Sequence, residues 1–328
     1  MSSFKPLIIA TRGSALALVQ SNAILAQCRD AFPERAFEVR IFKTTGDKLQ
    51  TASLANTELP KGLFTKELEV ALLNGEADLA VHSLKDLPTA LPAGLILGAA
   101  GRREDVRDVL LYRSGEGGSL RGFPPGLTIH GLPKGATVAT SSTRRGAQLQ
   151  ELRPDLKIVP IRGNVGTRIR KLLEQDALDA TILAAAGLHR LGFSQDAAQC
   201  LQGGPADKEP VPAGQVRASY LDIDEMIPCV GQAAIGIEIR EGDPLLQTVC
   251  AALTHRDTQA CVTAERAFLN AMGGGCQAAV AAYAEIGSHG LEMRVVSYLG
   301  GTPRRARRSG SVADPVALGR ELALEVAG

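Results

Sequence analysis

The sequence predicts an α/β protein of two or three domains, and three observations lead to this fold class. The chain has 328 residues, which exceeds the size at which a single hydrophobic core usually stops growing. Strand and helix patterns alternate through its first part, and the alternation begins again after a Gly- and Pro-rich stretch at 115–135. Such alternation is typical of a mainly parallel sheet covered by helices on both faces.

The first unit begins with a short apolar run. Its predicted elements are a strand at 7–10, a helix through 18–32, a strand at 37–41, a helix around 68–72 and a strand at 78–82. Pro33 ends the first helix because proline cannot continue the backbone hydrogen-bond ladder. Asn74 and Gly75 end the second, since both residues accept the left-handed conformation found after helices.

The second unit repeats this order. Its predicted elements are a strand at 136–140, a helix from Ser142, a strand at 157–161, a helix near 165–175 and a strand at 180–183. The segment 202–218 has no apolar period and predicts an exposed connection. Beyond it, 232–239 is predicted to be a strand that rejoins the first sheet.

The last part of the chain predicts a smaller α+β unit. A helix at 263–271 leads to three glycines and Cys276. Apolar residues then alternate at 283, 293, 295 and 298 as in antiparallel strands, and a helix is predicted near 315–326.

Composition excludes several classes of protein. Lys and Arg total 36 against 35 acidic residues, so no global field attracts nucleic acid or anionic lipid. No apolar run is long enough to span a membrane, and the N-terminal run is too short for a signal peptide core, so we predict a cytoplasmic protein. The six cysteines form no C-x-x-C pair, which argues against zinc and disulfides. Five of them are predicted to be small buried hydrophobes, namely Cys28, Cys200, Cys229, Cys250 and Cys261.

Two turns between a strand and a helix carry hydroxyls and an arginine. One holds Thr11, Arg12 and Ser14, and the other runs from Thr140 through Ser142 to Arg144. Backbone N–H groups and the helix dipole favour an anion at such a turn. Simple N-capping by Ser or Thr is the better explanation of a single copy, but two copies beside arginines favour anion binding.

Arginines crowd the middle of the chain, where converging guanidinium groups would suit a substrate with many carboxylates. These arginines are Arg102, Arg103, Arg107, Arg144, Arg145, Arg162, Arg168, Arg170 and Arg190. Scattered surface positions are the alternative, favoured for Arg102 and Arg170. A second basic run at 304–308 is interpreted as a solvated hairpin.

Two further positions carry chemistry. Lys85 and Asp86 follow the strand predicted at 78–82, and ligands of open α/β sheets bind at the carboxyl ends of strands. An isolated Lys-Asp pair is otherwise a solvated loop. Cys276 follows three glycines on a turn where little shields its sulfur, which suits a nucleophilic or modified thiol.

Blocks spread in order from Leu7 to the mid-290s resemble the porphobilinogen deaminase family. They are Thr11-Arg12-x-Ser14, KGLFTKELE at 61–69, AVHSLKDLP at 80–88, Thr140-Ser141-Ser142-x-Arg144-Arg145, RGNVGTR at 162–168, Ala186-Gly187-Leu188-x-Arg190-Leu191-Gly192, Gly231-Gln232 and Gly274-Gly275-Cys276-Gln277. The chain departs from the family pattern at Asn56, at Pro60 before Lys61, and at Ala233, where a glycine is usual.

The resemblance implies roles for individual residues. Cys276 would carry a dipyrromethane cofactor as a thioether, and Asp86 would be the catalytic acid and base. Cofactor contacts would come from Ser83, Lys85, Thr140, Ser142, Arg144, Arg145 and Arg168. Substrate contacts would come from Arg12, Ser14, Lys61, Arg162, Arg190 and Gln232.

The family fold implies two α/β domains similar to periplasmic binding proteins, flanking a cleft, and a smaller α+β domain that presents the cysteine. The expected domains are 1–102 with 229–252, 106–226, and 256–328. The implied reaction is the head-to-tail condensation of four porphobilinogen molecules with loss of ammonia, followed by hydrolytic release of hydroxymethylbilane. A monomer that binds this small substrate, and neither nucleic acid nor a membrane, is expected.

Two alternatives stay open from the residues. A two-domain anion-binding protein of the periplasmic type would share the order of strands and helices. A phosphate- or nucleotide-using transferase would use the same arginines, but the sequence holds no G-x-x-x-x-G-K-[ST] loop, and Gly163 and Gly166 are too close for a dinucleotide fingerprint.

Overall fold

Two mixed α/β units and a smaller α+β unit make up the computed structural model, which describes residues 5–45, 64–115, 122–204, 214–275 and 278–327. The predicted fold class is confirmed in this arrangement. Cys276, Lys61, Asn56 and Pro60 lie outside the described residues, as does 205–213 within the predicted connection.

The first unit is built on a five-stranded sheet in the order β2-β1-β3-β12-β4. Its strands are β1 (Leu7–Thr11), β2 (Phe37–Ile41), β3 (Leu79–Ser83), β4 (Leu95–Ala100) and β12 (Ile235–Arg240). Strands β1, β2 and β3 are parallel, and β12 runs antiparallel to β3 and β4. The covering helices are α1 (Ala15–Ala31), α2 (Lys66–Leu73) and α6 (Pro244–Leu253). The prediction that 232–239 rejoins the first sheet is therefore confirmed, although the strand begins at Ile235.

The second unit has the same strand arrangement, in the order β7-β6-β8-β5-β11. Its strands are β5 (Asp108–Arg113), β6 (Thr137–Ala139), β7 (Lys157–Val159), β8 (Ala180–Ala184) and β11 (Val216–Tyr220). Here β5 is the antiparallel strand, as β12 is in the first sheet. The helices are α3 (Thr143–Leu152), α4 (Val165–Glu174) and α5 (Ala185–Arg190), and a short hairpin pairs β9 (Phe193–Gln195) with β10 (Leu201–Gly203).

The prediction of an exposed connection at 202–218 was wrong at both ends. Its first residues belong to β10, and its last belong to β11, which pairs with β5. Val216, Arg217 and Ala218 are buried there. A buried arginine between two small apolar residues hides the apolar period, because its aliphatic stem packs in the interior while its guanidinium donates to Phe123 O.

The third unit packs two helices against an antiparallel sheet. The sheet consists of β13 (Val280–Gly287), β14 (Gly290–Ser297) and β15 (Arg304–Gly310), and the helices are α7 (Arg256–Ala271) and α8 (Pro315–Ala327). Phe268 of α7 and Leu322 of α8 meet Met293 and Val295 in one apolar core. The basic run at 304–308 is strand β15, and three of its arginines pair with glutamates, so it is not a free basic patch.

Within the ranges described above, no helix has both the length and the apolar character needed to span a lipid bilayer.

Candidate active site

The Lys85-Asp86 pair lies on a short 3-10 turn, Leu84–Asp86, directly after β3. Leu84 and Leu87 on either side of the pair are buried in an apolar cluster. Because the two leucines face the core, Lys85 and Asp86 turn toward the carboxyl edge of the sheet, and Asp86 is exposed. The sequence therefore presents this carboxylate at the edge where α/β sheets bind ligands.

The two predicted anion turns are N-caps of helices. Ser14 Oγ accepts a hydrogen bond from Ala17 N at the start of α1, and Ser142 Oγ accepts one from Arg145 N at the start of α3. Thr140 Oγ1 accepts from Ser142 N and stiffens the second turn. N-capping and ligand binding are compatible, since each hydroxyl keeps its own proton for a further acceptor.

A buried ionic network anchors Arg144 and Arg145. Arg144 Nη2 donates to Asp108 Oδ2 at 2.8 Å, and Arg145 Nη2 donates to Asp108 Oδ1 at 2.7 Å. The other terminal nitrogens donate to Ile227 O at 2.7 Å and Ile182 O at 2.9 Å. Burial would raise the pKa of Asp108, but the two guanidinium groups outweigh it and hold that pKa well below its usual range.

Gln232 belongs to the same network. Its side-chain nitrogen donates to Val106 O at 2.7 Å and to Asp108 Oδ1 at 3.0 Å, and it is fully buried. In this arrangement the amide supports Asp108 from the segment that leads into β12. Ser83 is likewise engaged, since its hydroxyl exchanges hydrogen bonds with the side-chain amide of Gln20 on α1.

Arg168 lies on α4 beside the second sheet, near enough to Asp86 for the two charges to influence each other. Its Nε donates to Gly163 O at 2.8 Å, and no carboxylate in the described ranges forms an ion pair with it. Burial lowers the pKa of its guanidinium, the neighbouring Arg145 lowers it further, and the charge of Asp86 opposes both. A partly desolvated cation of this kind favours an anionic ligand.

The remaining predicted arginines have different surroundings. Arg12 stacks on the ring of Phe64, with the guanidinium carbon 4.2 Å from the ring centroid. Arg190 donates to Ala233 O at 2.6 Å, and burial lowers the pKa of its guanidinium. Arg162 is exposed and lines a small pocket with Lys171.

Sequence reasoning missed two acidic residues on which the site depends. One is Asp108, and the other is Glu265 of α7, whose carboxylate accepts hydrogen bonds from Arg103, Gly231 N and Ala284 N. Arg103 donates with two nitrogens, at 2.6 and 3.0 Å, and joins the third unit to the segment between the first two. The available signal was one acidic residue beside an apolar run, Asp108 before VLLY at 109–112 and Glu265 close to AFL at 267–269.

Comparison with known families identifies the family of the whole chain. Residues 7–248 match the model described as porphobilinogen deaminase, dipyromethane cofactor binding domain, and residues 259–328 match the model of the porphobilinogen deaminase C-terminal domain. The chain belongs to the porphobilinogen deaminase family.

Curated members of the porphobilinogen deaminase family align along nearly the whole chain. The protein of that name from Moorella thermoacetica is 44% identical over 317 residues, covering 96% of this chain and 91% of its own length. Its namesake from Syntrophobacter fumaroxidans is 42% identical over 320 residues, with 97% and 93% covered. Among solved structures, the periplasmic VFT2 domain of Bordetella pertussis BvgS has a TM-score of 0.41 and 17% identity, covering 76% of this chain and 86% of that one.

The predicted function is that of the family: a transferase that condenses porphobilinogen stepwise to hydroxymethylbilane in tetrapyrrole biosynthesis. The predicted dipyrromethane cofactor is also confirmed, because the matching family model is the domain that binds it. The residues present fit such a group. Arg168 is partly buried without an ion pair among the described carboxylates, and the Nε atoms of Arg144 and Arg145 are buried without a described hydrogen-bond partner. This set of donors suits a ligand with several carboxylates.

Proposed function

We propose that Asp86 is the catalytic residue of this enzyme and that Cys276 holds its dipyrromethane as a thioether. The observation that carries the proposal is that two opposite charges, one from each α/β unit, lie near enough to influence each other without forming an ion pair. Asp86 follows β3 of the first sheet, Arg168 lies on α4 beside the second, and the charge of Asp86 acts on the Arg168 guanidinium. The carboxylate of Asp86 can interact with a pyrrole nitrogen, while the partly buried guanidinium of Arg168 can bind the carboxylates of the same ring.

The cofactor carboxylates are assigned to a cationic set around this pair. Lys85 and Arg168 contribute partly exposed charges, and Arg145, near Arg168, contributes a buried Nε that has no described hydrogen-bond partner. Ser83, Thr140 and Ser142 add hydroxyls at the ends of β3 and β6. Arg144 is assigned to the cofactor as well, held in place by Asp108.

Incoming substrate is assigned to the outer residues of the cleft. Arg12, Ser14, Arg162 and Arg190 are the described members of this set, and Lys61 belongs to it through its sequence block. Gln232 is assigned a positioning role, because its amide is occupied by Asp108 and Val106. Each added ring brings two carboxylates, so a growing chain explains a row of arginines better than a single small anion does.

When bound, the dipyrromethane would supply the free pyrrole carbon for the first porphobilinogen unit, and each later unit would be added to the free end of the growing chain. Asp86 stabilises the positive charge that spreads over the pyrrole nitrogens when ammonia leaves, and its carboxylate takes up the proton released at the new bond. Arg168 and Lys85 orient the rings through their carboxylates, which keeps the reacting carbons in line. The enzyme is further proposed to act as a cytoplasmic monomer on free porphobilinogen.

The proposal is tested with Asp86→Asn and Cys276→Ser. Asn keeps the shape of Asp86 but loses its charge and basicity, and general acid–base catalysis contributes about 10²- to 10⁴-fold, so turnover should fall at least that far. Intact mass should show covalent pyrroles in Asp86→Asn. Cys276→Ser should show the mass of the bare chain, because an alkoxide forms far less readily than a thiolate.

Glu104→Gln is the matched control for the charge change, since Glu104 is an exposed carboxylate on the segment between the two sheets. It should keep normal turnover. Near-normal turnover in a folded Asp86→Asn protein would refute the catalytic role. A wild-type protein with full activity and no covalent adduct would refute the role of Cys276.

A further inference from the structure

Helix α7 of the third unit holds the backbone that follows Asp86. The guanidinium of Arg266 donates from Nη1 to Leu87 O at 3.1 Å and from Nη2 to Pro88 O at 2.7 Å. A longer contact joins Nη2 to Thr89 O at 3.4 Å. Three consecutive carbonyl oxygens of the catalytic loop, residues 84–89, therefore meet on one side chain from another unit.

Apolar packing holds the same loop to the same helix. Leu84 and Leu87 form a buried cluster with Val262, which lies four residues before Arg266 on α7. Residues four apart lie on one face of a helix, so a single face of α7 contacts both the leucines and the carbonyl groups. This face of α7 contacts the loop both through the buried leucine side chains of the loop and through its backbone carbonyl groups.

The chain links this helix to the proposed site of cofactor attachment. Helix α7 ends at Ala271, and Cys276 follows five residues later. In the sequence, the helix that contacts the catalytic loop along its side therefore lies just before the cysteine. A shift of α7 relative to the first sheet would move this loop.

We propose that Arg266 is a positioning residue, which keeps the catalytic loop in register with α7 so that Asp86 stays aligned with the pyrroles carried from Cys276. The proposal rests on the role proposed above for Asp86. An arginine suits this task because its planar group presents several donors in a fixed geometry, whereas a lysine ammonium is a single point of contact on a flexible stem. A misplacement of about 1 Å in a catalytic group lowers the rate about 10²-fold.

The experiment compares Arg266→Ala and Arg266→Lys with Arg320→Ala in the full-length, cofactor-loaded enzyme. Arg320 of α8 lines the same groove as Arg266, but it forms no hydrogen bond or ion pair among the described residues, which makes it the matched control. Intact mass reports cofactor loading, steady-state kinetics separates kcat from KM, and guanidinium is added in millimolar amounts as a chemical substitute for the missing side chain.

Arg266→Ala should keep full cofactor loading and a KM within about twofold of the parent, while kcat falls about 10- to 100-fold. Guanidinium should restore part of kcat, Arg266→Lys should lie between Ala and the parent, and Arg320→Ala should match the parent. Wild-type kcat in Arg266→Ala overturns the proposal. So does a loss that neither guanidinium nor lysine restores, because that outcome is the mark of a merely structural residue.

The test of Arg266 can fail independently of the test of the proposed function of Asp86. A silent Arg266→Ala beside an inactive Asp86→Asn removes only the positioning role, whereas an active Asp86→Asn removes the function on which it rests. Should Arg266→Ala not fold, Arg266→Lys decides through amide hydrogen exchange of residues 87, 89 and 90, since Pro88 has no amide hydrogen. Faster exchange together with a lower kcat supports the proposal, and unchanged exchange overturns it.

Discussion

Asp108 Oδ1 accepts a hydrogen bond from Arg145 Nη2 at 2.7 Å, and both side chains are buried between the sheet of the second unit and the segment that returns to the first. The same carboxylate holds Arg144 and Gln232. One acidic residue therefore pairs with two arginines that the family resemblance assigns to the cofactor, and it offsets only one of their two positive charges.

Asp108→Asn should cost about 3–5 kcal/mol of unfolding free energy at neutral pH, because it leaves two buried guanidinium groups without their charge partner. The folded pKa of Asp108 lies below its unfolded value near 3.8, so the stabilisation is present above that value and is lost as pH falls toward the folded pKa. Urea unfolding between pH 3 and pH 7 should show a weaker acid dependence in the variant. Asp224→Asn, which removes an exposed partner of Arg294, should change stability by less than about 1 kcal/mol. Equal effects of the two variants would contradict the prediction.

Arg168→Leu should weaken turnover or the assembly of the cofactor, because it removes a charge-assisted contact worth about 1.5–3 kcal/mol. Arg170→Leu is the matched control, since Arg170 lies on the same helix, is exposed, and forms a long surface ion pair with Glu174, with their atoms 3.8 Å apart. Intact mass and kcat/KM measure the difference. Parent-like values for both variants would mean that Arg168 does not contact a ligand carboxylate.

Ala233 occupies a left-handed backbone conformation with a φ of 70°, at the turn that joins the units. A Cβ is strained there, but the methyl group is also buried, so Ala233→Gly should stay within about 1 kcal/mol of the parent. Ala233→Val should lose more than about 2 kcal/mol, because a branched side chain strains both the backbone and the packing. Thermal unfolding of the pair checks this, and a stable valine variant would show that the turn relaxes to another conformation.

Native cysteine labelling should be selective. Burial raises the pKa of Cys28 to about 11 and the pKa values of Cys250 and Cys261 to about 12, so at pH 8 these thiols are almost wholly protonated as well as inaccessible. Iodoacetamide should modify Cys229, which is partly exposed, well before these three. In urea all of them should react, while a thioether at Cys276 would leave that residue unlabelled. Rapid native labelling of Cys28 would contradict the burial described here.

The sequence by itself determined the local features of this protein. The order of strands and helices, the ends of α1 and α2, the serine caps of α1 and α3, and the loop that exposes Asp86 all depend on neighbours within a few residues. The motif blocks indicated the family, because each block keeps its residue types at fixed spacing. Short-range hydrogen bonds and the periodicity of buried residues can be predicted from the sequence, because they depend on residues that are close together in it.

Only the tertiary structure decided which charges are already paired within the protein and which are not. Asp108 and Arg144 are 36 residues apart, and Arg266 is 178 residues from Pro88. Nothing local distinguishes the buried Arg144 from the exposed Arg162, since both follow a strand and precede or open a helix. The difference in desolvation depends on the distant segments that cover each guanidinium. The sheets depend on distant segments in the same way, since β5 and β12 complete them from elsewhere in the chain.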